Sequence, residues 1–416
     1  MSRTTSLTIG LLAVATLLSL GTYWLVQRPA DDASLDTSIA VAEAMGSDTT
    51  GFARADRVRE FVFPDDHGPH PDFKTEWWYF TGNLTTETGR RIGYQWTLFR
   101  VALTPPGSTA TGGNRPLRAA ASTAGSSGSE SPRAASERSA SNWSTNQFYM
   151  GHFAVSDVQN RRHFDFERFA RAGAGLAGAQ AEPWRVWLET WSLEGLGDDA
   201  FPARVRARQN GVAVDLRVEP AKPFVLQGDR GLSQKGPGSG NASYYYSYTR
   251  LSTDGIVVVD GDTLSVSGSS WLDREWSTSA LGPDQVGWDW FSLQLDDGRD
   301  LMYYQLRNRD GSASRFSEGV LVDENGEKTS LGRSDVRLTV QDRWTTPDGS
   351  RTYPVAWRLQ VPDEDVDLHI RAAFPDQEMD VSVRYWEGAV GVDGSATGRG
   401  YVEMTGYGDA AASPAS

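Results

Sequence analysis

The chain has 416 residues and a net charge of −14, and only 4 of its 40 basic residues are lysine. An acidic surface without a Lys/Arg-rich patch argues against nucleic acid as a partner and is poor for docking on anionic lipid. The absence of cysteine excludes disulfides, thiolate metal sites, cysteine nucleophiles and a lipidated-cysteine anchor.

Residues 7 to 26 form an apolar run without charge, preceded by Arg3 and followed by Arg28. The run is about the length that spans a bilayer as a helix. It is longer than the apolar part of a typical signal peptide, and bulky Tyr23, Trp24, Leu25 and Val26 leave no clear cleavage site. The expectation is an uncleaved anchor over residues 1–28 in the inner membrane, with the body outside the cytoplasm. Cleavage and secretion are the alternative. Polar, small residues 29–55 read as a linker.

The length suggests two domains, set here at 56–280 and 281–408 with a tail at 409–416. The segment from Phe61 to Phe73 is rich in Pro and carries His67 and His70. It cannot be a helix or a central strand. A strand is expected from Trp77, a turn ends at Gly89, and a returning strand covers residues 92–103. Residues 105–141 are Ser/Ala/Gly/Pro-rich and too polar to order themselves, so they read as a disordered insertion in a hairpin loop. Beyond Gln147 most windows alternate with a period of two, which puts Phe148, Met150, His152 and Ala154 on one face. Short helical pieces are expected only near residues 171–181. The Gly-rich stretch 227–243 lacks the Gly-Lys-Ser/Thr ending of a phosphate-binding loop. The pattern predicts an all-β protein, a barrel or a sandwich.

Two comparisons point to an internal duplication. Residues 77–100 run aromatic strand, Gly-bearing turn, strand, Arg, and residues 288–307 do the same. Residues 257–273 and 389–403 both run strand, Asp-Gly turn, strand, then aromatic–aliphatic–acid. Two barrel units are expected, one from Trp77 to about Trp276 and the other from Trp288 to Tyr407.

The densest polar-aromatic stretch is Trp271, Asp273, Arg274, Glu275 and Trp276, followed by Trp288, Asp289 and Trp290. Carboxylates are rarely buried without a partner. The segment is therefore either a satisfied ion cluster, with Arg274 pairing Asp273 or Glu275, or a site. On a strand Asp273 and Glu275 share one face and Arg274 takes the other.

Several motifs resemble the AttH-type proteins. They are Phe63 to Tyr79 with its Asp-Asp-His-Gly and Thr-Glu-Trp-Trp-Tyr runs, Gly228 to Gly236, Trp271 to Ser277, Val286 to Phe291, Tyr385 to Val390 and Gly400 to Tyr407. That family is described as lipocalin-like, predicted secreted hydrolases, and is grouped with carotenoid 1,2-hydratases. The resemblance runs from Phe61 to Tyr407 apart from the insertion. It implies two consecutive lipocalin-like antiparallel β-barrels, export, association with an ABC-transporter permease and, for the hydratase branch, acid-catalysed addition of water to an isoprenoid double bond without a cofactor. Arg274 departs from the His that similar proteins usually carry there.

Hydrating an alkene requires a carboxylic acid kept protonated by burial, and aromatic faces beside the cation. Asp273 and Glu275 are the candidate catalytic residues. Trp271, Trp276, Trp288, Asp289, Trp290, His152, Trp78 and Tyr245 are candidates to bind an apolar or lipid ligand. His67 and His70, with the acids near them, are weak metal candidates, because no regular element organises their spacing. The other reading of that loop is a plug for the first barrel, its imidazoles bonded to backbone. His163 and His369 are expected at the surface. A serine hydrolase would need a His beside Ser277 or Ser279, and no Gly-x-Ser-x-Gly motif is present. Two functions remain open: an enzyme of hydratase or hydrolase type, and a non-catalytic ligand carrier serving a transporter.

Overall fold

The computed structural model describes residues 49–107, 146–197, 199–279 and 281–408. The expected anchor, the linker up to residue 48, most of the insertion and the tail lie outside these. No helix among the described residues is long and apolar enough to cross a membrane.

The described chain is all-β, with three 3-10 turns at Asp65–His67, Gly173–Gly175 and Pro362–Glu364. The first half supplies β1 (Thr75–Thr86), β2 (Arg91–Ala102), β3 (Gln147–Asp157), β4 (Arg162–Arg171), β5 (Ala177–Gln180), β6 (Arg185–Leu188), β7 (Trp191–Gly195), β8 (Ala203–Gln209), β9 (Val212–Pro220), β10 (Val225–Leu226), β11 (Leu232–Gln234), β12 (Ala242–Val259) and β13 (Asp262–Ser277). The second half supplies β14 (Gln285–Leu295), β15 (Asp300–Asn308), β16 (Glu318–Val322), β17 (Lys328–Gly332), β18 (Arg337–Thr345), β19 (Thr352–Val361), β20 (Val366–Ala372), β21 (Glu378–Met379), β22 (Tyr385–Gly394) and β23 (Gly398–Met404).

These strands form two antiparallel sheets, and the break between them falls between β13 and β14. The first runs β4-β3-β2-β1-β13-β12-β9-β8-β7-β6-β5, and β6 curls back against β2, β3 and β4, so the sheet nearly closes into a barrel. The second runs β17-β16-β15-β14-β23-β22-β20-β19-β18 and forms a half-barrel. Its edge strands β17 and β18 are not paired with each other, which departs from the expected second closed barrel. The duplication is visible in the pairing: β3-β2-β1-β13-β12 in one sheet matches β16-β15-β14-β23-β22 in the other. In each half the opening strand is zipped to the closing strand.

Strand alternation sorts the side chains into three apolar clusters. Trp78, Phe80, Leu272, Trp276, Tyr244 and Tyr246 point into the first barrel. Phe291, Leu293, Val402 and Met404 point into the concave face of the second sheet. The remaining faces of β1, β12, β13, β14 and β23 meet between the sheets, where Tyr79, Tyr245, Trp271, Trp290 and Tyr401 pack together. Polar links fix this junction: Lys222 and Arg250 both pair with Asp300, and Gln294 donates to the Ser270 carbonyl at 3.0 Å.

The body also begins earlier than residue 56. Phe52 and Ala55 are buried, and the Ala53 amide donates to the Asp72 carbonyl at 2.9 Å.

Candidate active site between the sheets

Asp273 faces the junction, as strand alternation requires. It is 3% exposed and accepts from Tyr245 Oη at 2.5 Å, Ser247 Oγ at 2.5 Å and Trp271 Nε1 at 2.7 Å. Burial pushes its carboxyl up to about 7, against the three hydrogen bonds and with some help from Glu275. Near neutrality about half of the group is therefore neutral acid, far more than for an ordinary carboxyl. Trp290 Nε1 donates to Tyr245 Oη at 3.2 Å, and the rings of Trp271 and Trp290 meet edge to face at 6.2 Å. The second half thus supplies part of the shell around the first half's acid.

The converse also holds. Tyr79 Oη on β1 donates to Glu387 Oε1 on β22 at 2.8 Å. Trp288 Nε1 donates to Glu403 Oε1 at 2.7 Å. Burial raises the Glu403 carboxyl to about 7, and burial with the nearby Glu403 charge holds Glu387 well above the usual carboxylate range. Glu275, raised mainly by burial, lies 3.7 Å from Lys235, whose ammonium sits 3.8 Å from the centroid of the Tyr304 ring. The junction therefore holds Asp273, Glu275, Glu387 and Glu403 among Tyr and Trp rings. Lys235 stands at one side.

Arg274 is on the opposite face of β13, inside the barrel. It pairs with Glu76, which also binds Arg100, and its guanidinium lies 4.0 Å from the centroid of the Trp78 ring. The satisfied-cluster expectation, Arg274 on Asp273 or Glu275, is thus replaced by an Arg274–Glu76–Arg100 group. The two guanidiniums hold Glu76 well below the usual carboxylate range despite the opposing effect of its burial.

Other predicted residues fall elsewhere. Trp78 and Trp276 belong to the barrel interior because they alternate with the junction-facing residues. Asp289 lies on the face of β14 opposite Trp288 and Trp290, bonded to Arg307 at 3.0 Å and Tyr407 at 3.0 Å. His152 points out of the barrel rather than lining it, and contacts Tyr385 and Glu167.

The His67–His70 loop packs over the barrel interior. The His67 carbonyl accepts both Trp78 Nε1 and Trp184 Nε1, and His67 Nδ1 meets Tyr246 Oη at 2.7 Å. His70 stacks on Trp276 at 3.7 Å, with its ring nitrogens on Asp66 and Glu76. The imidazoles bond to side chains rather than to backbone. Among the described residues no group of three or more His, Asp or Glu side chains is arranged to hold a metal ion.

His163, expected at the surface, is half-buried; it bonds Ser156 Oγ at 2.9 Å, and burial lowers its imidazole to about 3. A ring so reluctant to take a proton is a poor general base.

Sequence reasoning missed Glu387, Glu403, Tyr79 and Lys235. The signal for Glu403 was present in the repeat, which aligns Tyr401-Val-Glu403 with Trp271-Leu-Asp273. Glu387 follows from it, opposite Glu403 on the neighbouring strand.

An open groove of about 460 Å³ lies elsewhere, among Phe201, Pro223, Phe224 and Tyr248. Its lining includes none of the four junction acids. Around the junction Trp77, Leu281, Trp288 and Phe316 are partly buried against its apolar cluster.

Solved structures share this architecture. An AttH protein of Nitrosomonas europaea is 33% identical, covers 86% of this chain and 100% of its own, and superposes with a TM-score of 0.69. Kievitone hydratase from Nectria haematococca is 14% identical over 85% of this chain and 98% of its own, TM-score 0.59. CghA, solved with Sch210972, is 13% identical over 88% and 98%, TM-score 0.50. At these identities the last two show the fold alone. No curated protein matches the chain. Residues 54–124 and 126–407 match the AttH-like family, and the chain belongs to it.

Proposed function

We propose that this protein is a hydratase that adds water to an alkene of an apolar, isoprenoid-like substrate, bound between two lipocalin-like units. The observation that carries the reading is Asp273, a fully enclosed carboxyl raised to about 7 by burial and ringed by Trp271, Trp290 and Tyr245. Kievitone hydratase shares the fold, which is consistent with the reading.

The chemistry balances on residues of this chain. Asp273 gives its proton to the less substituted alkene carbon, forming a C–H bond as the π bond breaks. The resulting tertiary cation lies against Trp and Tyr faces, which attract cations electrostatically. Water forms the C–O bond and loses a proton to the Glu403 carboxylate. The proton then returns to Asp273, and no oxidant or cofactor enters the balance. Access requires the rim of Trp77, Leu281, Trp288 and Phe316 to move. Displacing water from this enclosed site strengthens every electrostatic contact within it.

The apolar run at residues 7–26 supports a further part of the reading, a body tethered outside the inner membrane. The hydrolase alternative gains no support from the one Ser–His hydrogen bond among the described residues, Ser156 with His163, given the depressed imidazole.

The test is mass spectrometry of an organic extract of the protein purified from its own host. Incubation of the extracted compound with wild type and Asp273→Asn follows. A product heavier by one water, formed by wild type alone, supports the reading. A bound alkene that neither protein converts supports the carrier alternative.

A further inference from the structure

We infer that Glu167, His152 and Tyr385 form a proton relay from solvent to the Glu387/Glu403 pair. This deepens the hydratase reading and rests on it for its purpose, which is to let the Glu387/Glu403 pair exchange protons with solvent and so set its resting protonation state, because the turnover itself consumes no net proton.

From the surface inward, contacts link Glu167, His152 and Tyr385. Glu167 on β4 keeps 15% of its side chain exposed and meets His152 Nε2 at 3.1 Å. His152 Nδ1 meets Tyr385 Oη at 2.8 Å, and the two rings stack at 5.5 Å. Tyr385 is 6% exposed and stands two residues before Glu387 on β22, so the two side chains share a face. The relay as proposed needs one water between the Tyr385 hydroxyl and Glu387, whose attachment points lie about two residue rises of a strand, roughly 7 Å, apart.

Comparison of the two halves argues that this is more than a packing contact. Tyr245 and Tyr385 stand at matching positions, each two residues before the residue paired with the junction acid of its half. Tyr245 donates to its own acid, Asp273. Tyr385 has turned to His152 instead, on a strand of the other sheet. The first acid is thus sealed within the junction, and the second pair is wired outward.

The groups around the relay are Glu167 and Asp165 on β4, Asp380 and Arg384 before β22, and Glu387 and Glu403 beyond Tyr385. Phe99 closes the β2 side against the His152 ring at 5.5 Å. Ser382 Oγ holds Glu167 Oε1 at 2.5 Å, which fixes the carboxylate toward the imidazole.

Each transfer balances. Glu167 collects a proton from water and passes it to His152 Nε2. The Nδ1 hydrogen moves to the Tyr385 oxygen, whose own hydrogen passes to a Glu387 or Glu403 carboxylate. The imidazole resets by flipping its ring. His152 and Tyr385 are positioning and relay residues and need not touch substrate.

The test uses the full chain at rest. The infrared band of a protonated carboxyl that disappears in Glu387→Gln is followed after rapid mixing into D2O. We expect its hydrogen–deuterium exchange to slow at least 10-fold in Tyr385→Phe and in His152→Gln, with melting temperatures near wild type. The band lost in Asp273→Asn should exchange at its wild-type rate in both. His152→Gln keeps a hydrogen bond toward Tyr385 but cannot pass a proton through a ring, so it separates relay from support if Tyr385→Phe folds poorly. Wild-type exchange of the Glu387 band in His152→Gln, or the absence of any such band, overturns the relay. Because the readout needs no substrate, failure of the hydratase reading would appear separately, as a bound alkene that wild type does not convert.

Discussion

The rings of Tyr79 and Trp290 meet at 90°, centroids 5.1 Å apart, on the two strands that open the two halves of the chain. Each stands directly opposite its half's junction acid, Tyr79 opposite Asp273 and Trp290 opposite Glu403. Each also reaches across, Tyr79 to Glu387 and Trp290 to Tyr245. A duplicated strand pair has thus been folded against its copy, and the junction acids are held partly by the opposite half. Neither half completes the shell alone.

Asp273→Asn should lower hydration at least 100-fold while the fold survives, because the amide keeps an acceptor for Ser247 or Tyr245 and loses only the transferable proton. Initial rates with the extracted compound, together with a thermal melt, test this. A rate within 3-fold of wild type would remove Asp273 from the chemistry.

Glu403→Gln should separate the two limbs of the pH–rate profile. The rate requires Asp273 protonated and Glu403 ionised, and both carboxyls lie near 7. Wild type should therefore show a narrow bell centred near pH 7, whose limbs belong to the pair rather than to either residue. The variant should lose the acid limb and run roughly 10- to 100-fold slower. An unchanged acid limb would assign water activation to another group.

Much of this was legible in the residues. A period of two runs through β1, β3 and β13, so the all-β class and the opposite faces of Asp273 and Arg274 could be read directly. Pairing could not. Nothing local in Glu76 says that it lies across the sheet from Arg100 and beside Arg274, so the partner of Arg274 was misplaced. Trp276 and Trp78 carried the right chemistry on the wrong face, and parity alone would have moved them to the barrel interior. Glu403 lay within a recognised repeat. Its burial depends on a second sheet covering the first, which no local pattern records.

Arg274→Met should destabilise the fold by about 3–5 kcal/mol, the usual cost of removing one partner from a buried ion group. It should leave the Asp273 titration in place, because the side chains point to opposite faces of β13. Chemical denaturation checks the first expectation. A loss under about 1 kcal/mol would show that Arg100 alone satisfies Glu76.

Stability should depend on pH in opposite senses for the two acid groups. Asp273 and Glu403 have folded-state values raised above their unfolded ones, so the folded state binds more protons between about pH 4 and 7. Their contribution is fully present at low pH and is lost as pH rises to about 7. Glu76 is depressed by Arg100 and Arg274, so its contribution is present above the ordinary carboxylate range and is lost as pH falls through the folded value. In Asp273→Asn the fall between pH 4 and 7 should shrink by up to roughly 4 kcal/mol, at 1.36 kcal/mol per pKa unit. Denaturation midpoints across that window decide it. An identical slope in wild type and variant would contradict it.

The most direct measurement is an infrared titration of the intact protein, wild type minus Asp273→Asn, from pH 4 to 9. The account predicts a protonated-carboxyl band in the difference spectrum that persists to neutrality and titrates away near pH 7. Loss of that band near pH 4, or its absence throughout, would mean that Asp273 is ionised when the protein works and cannot be the proton donor.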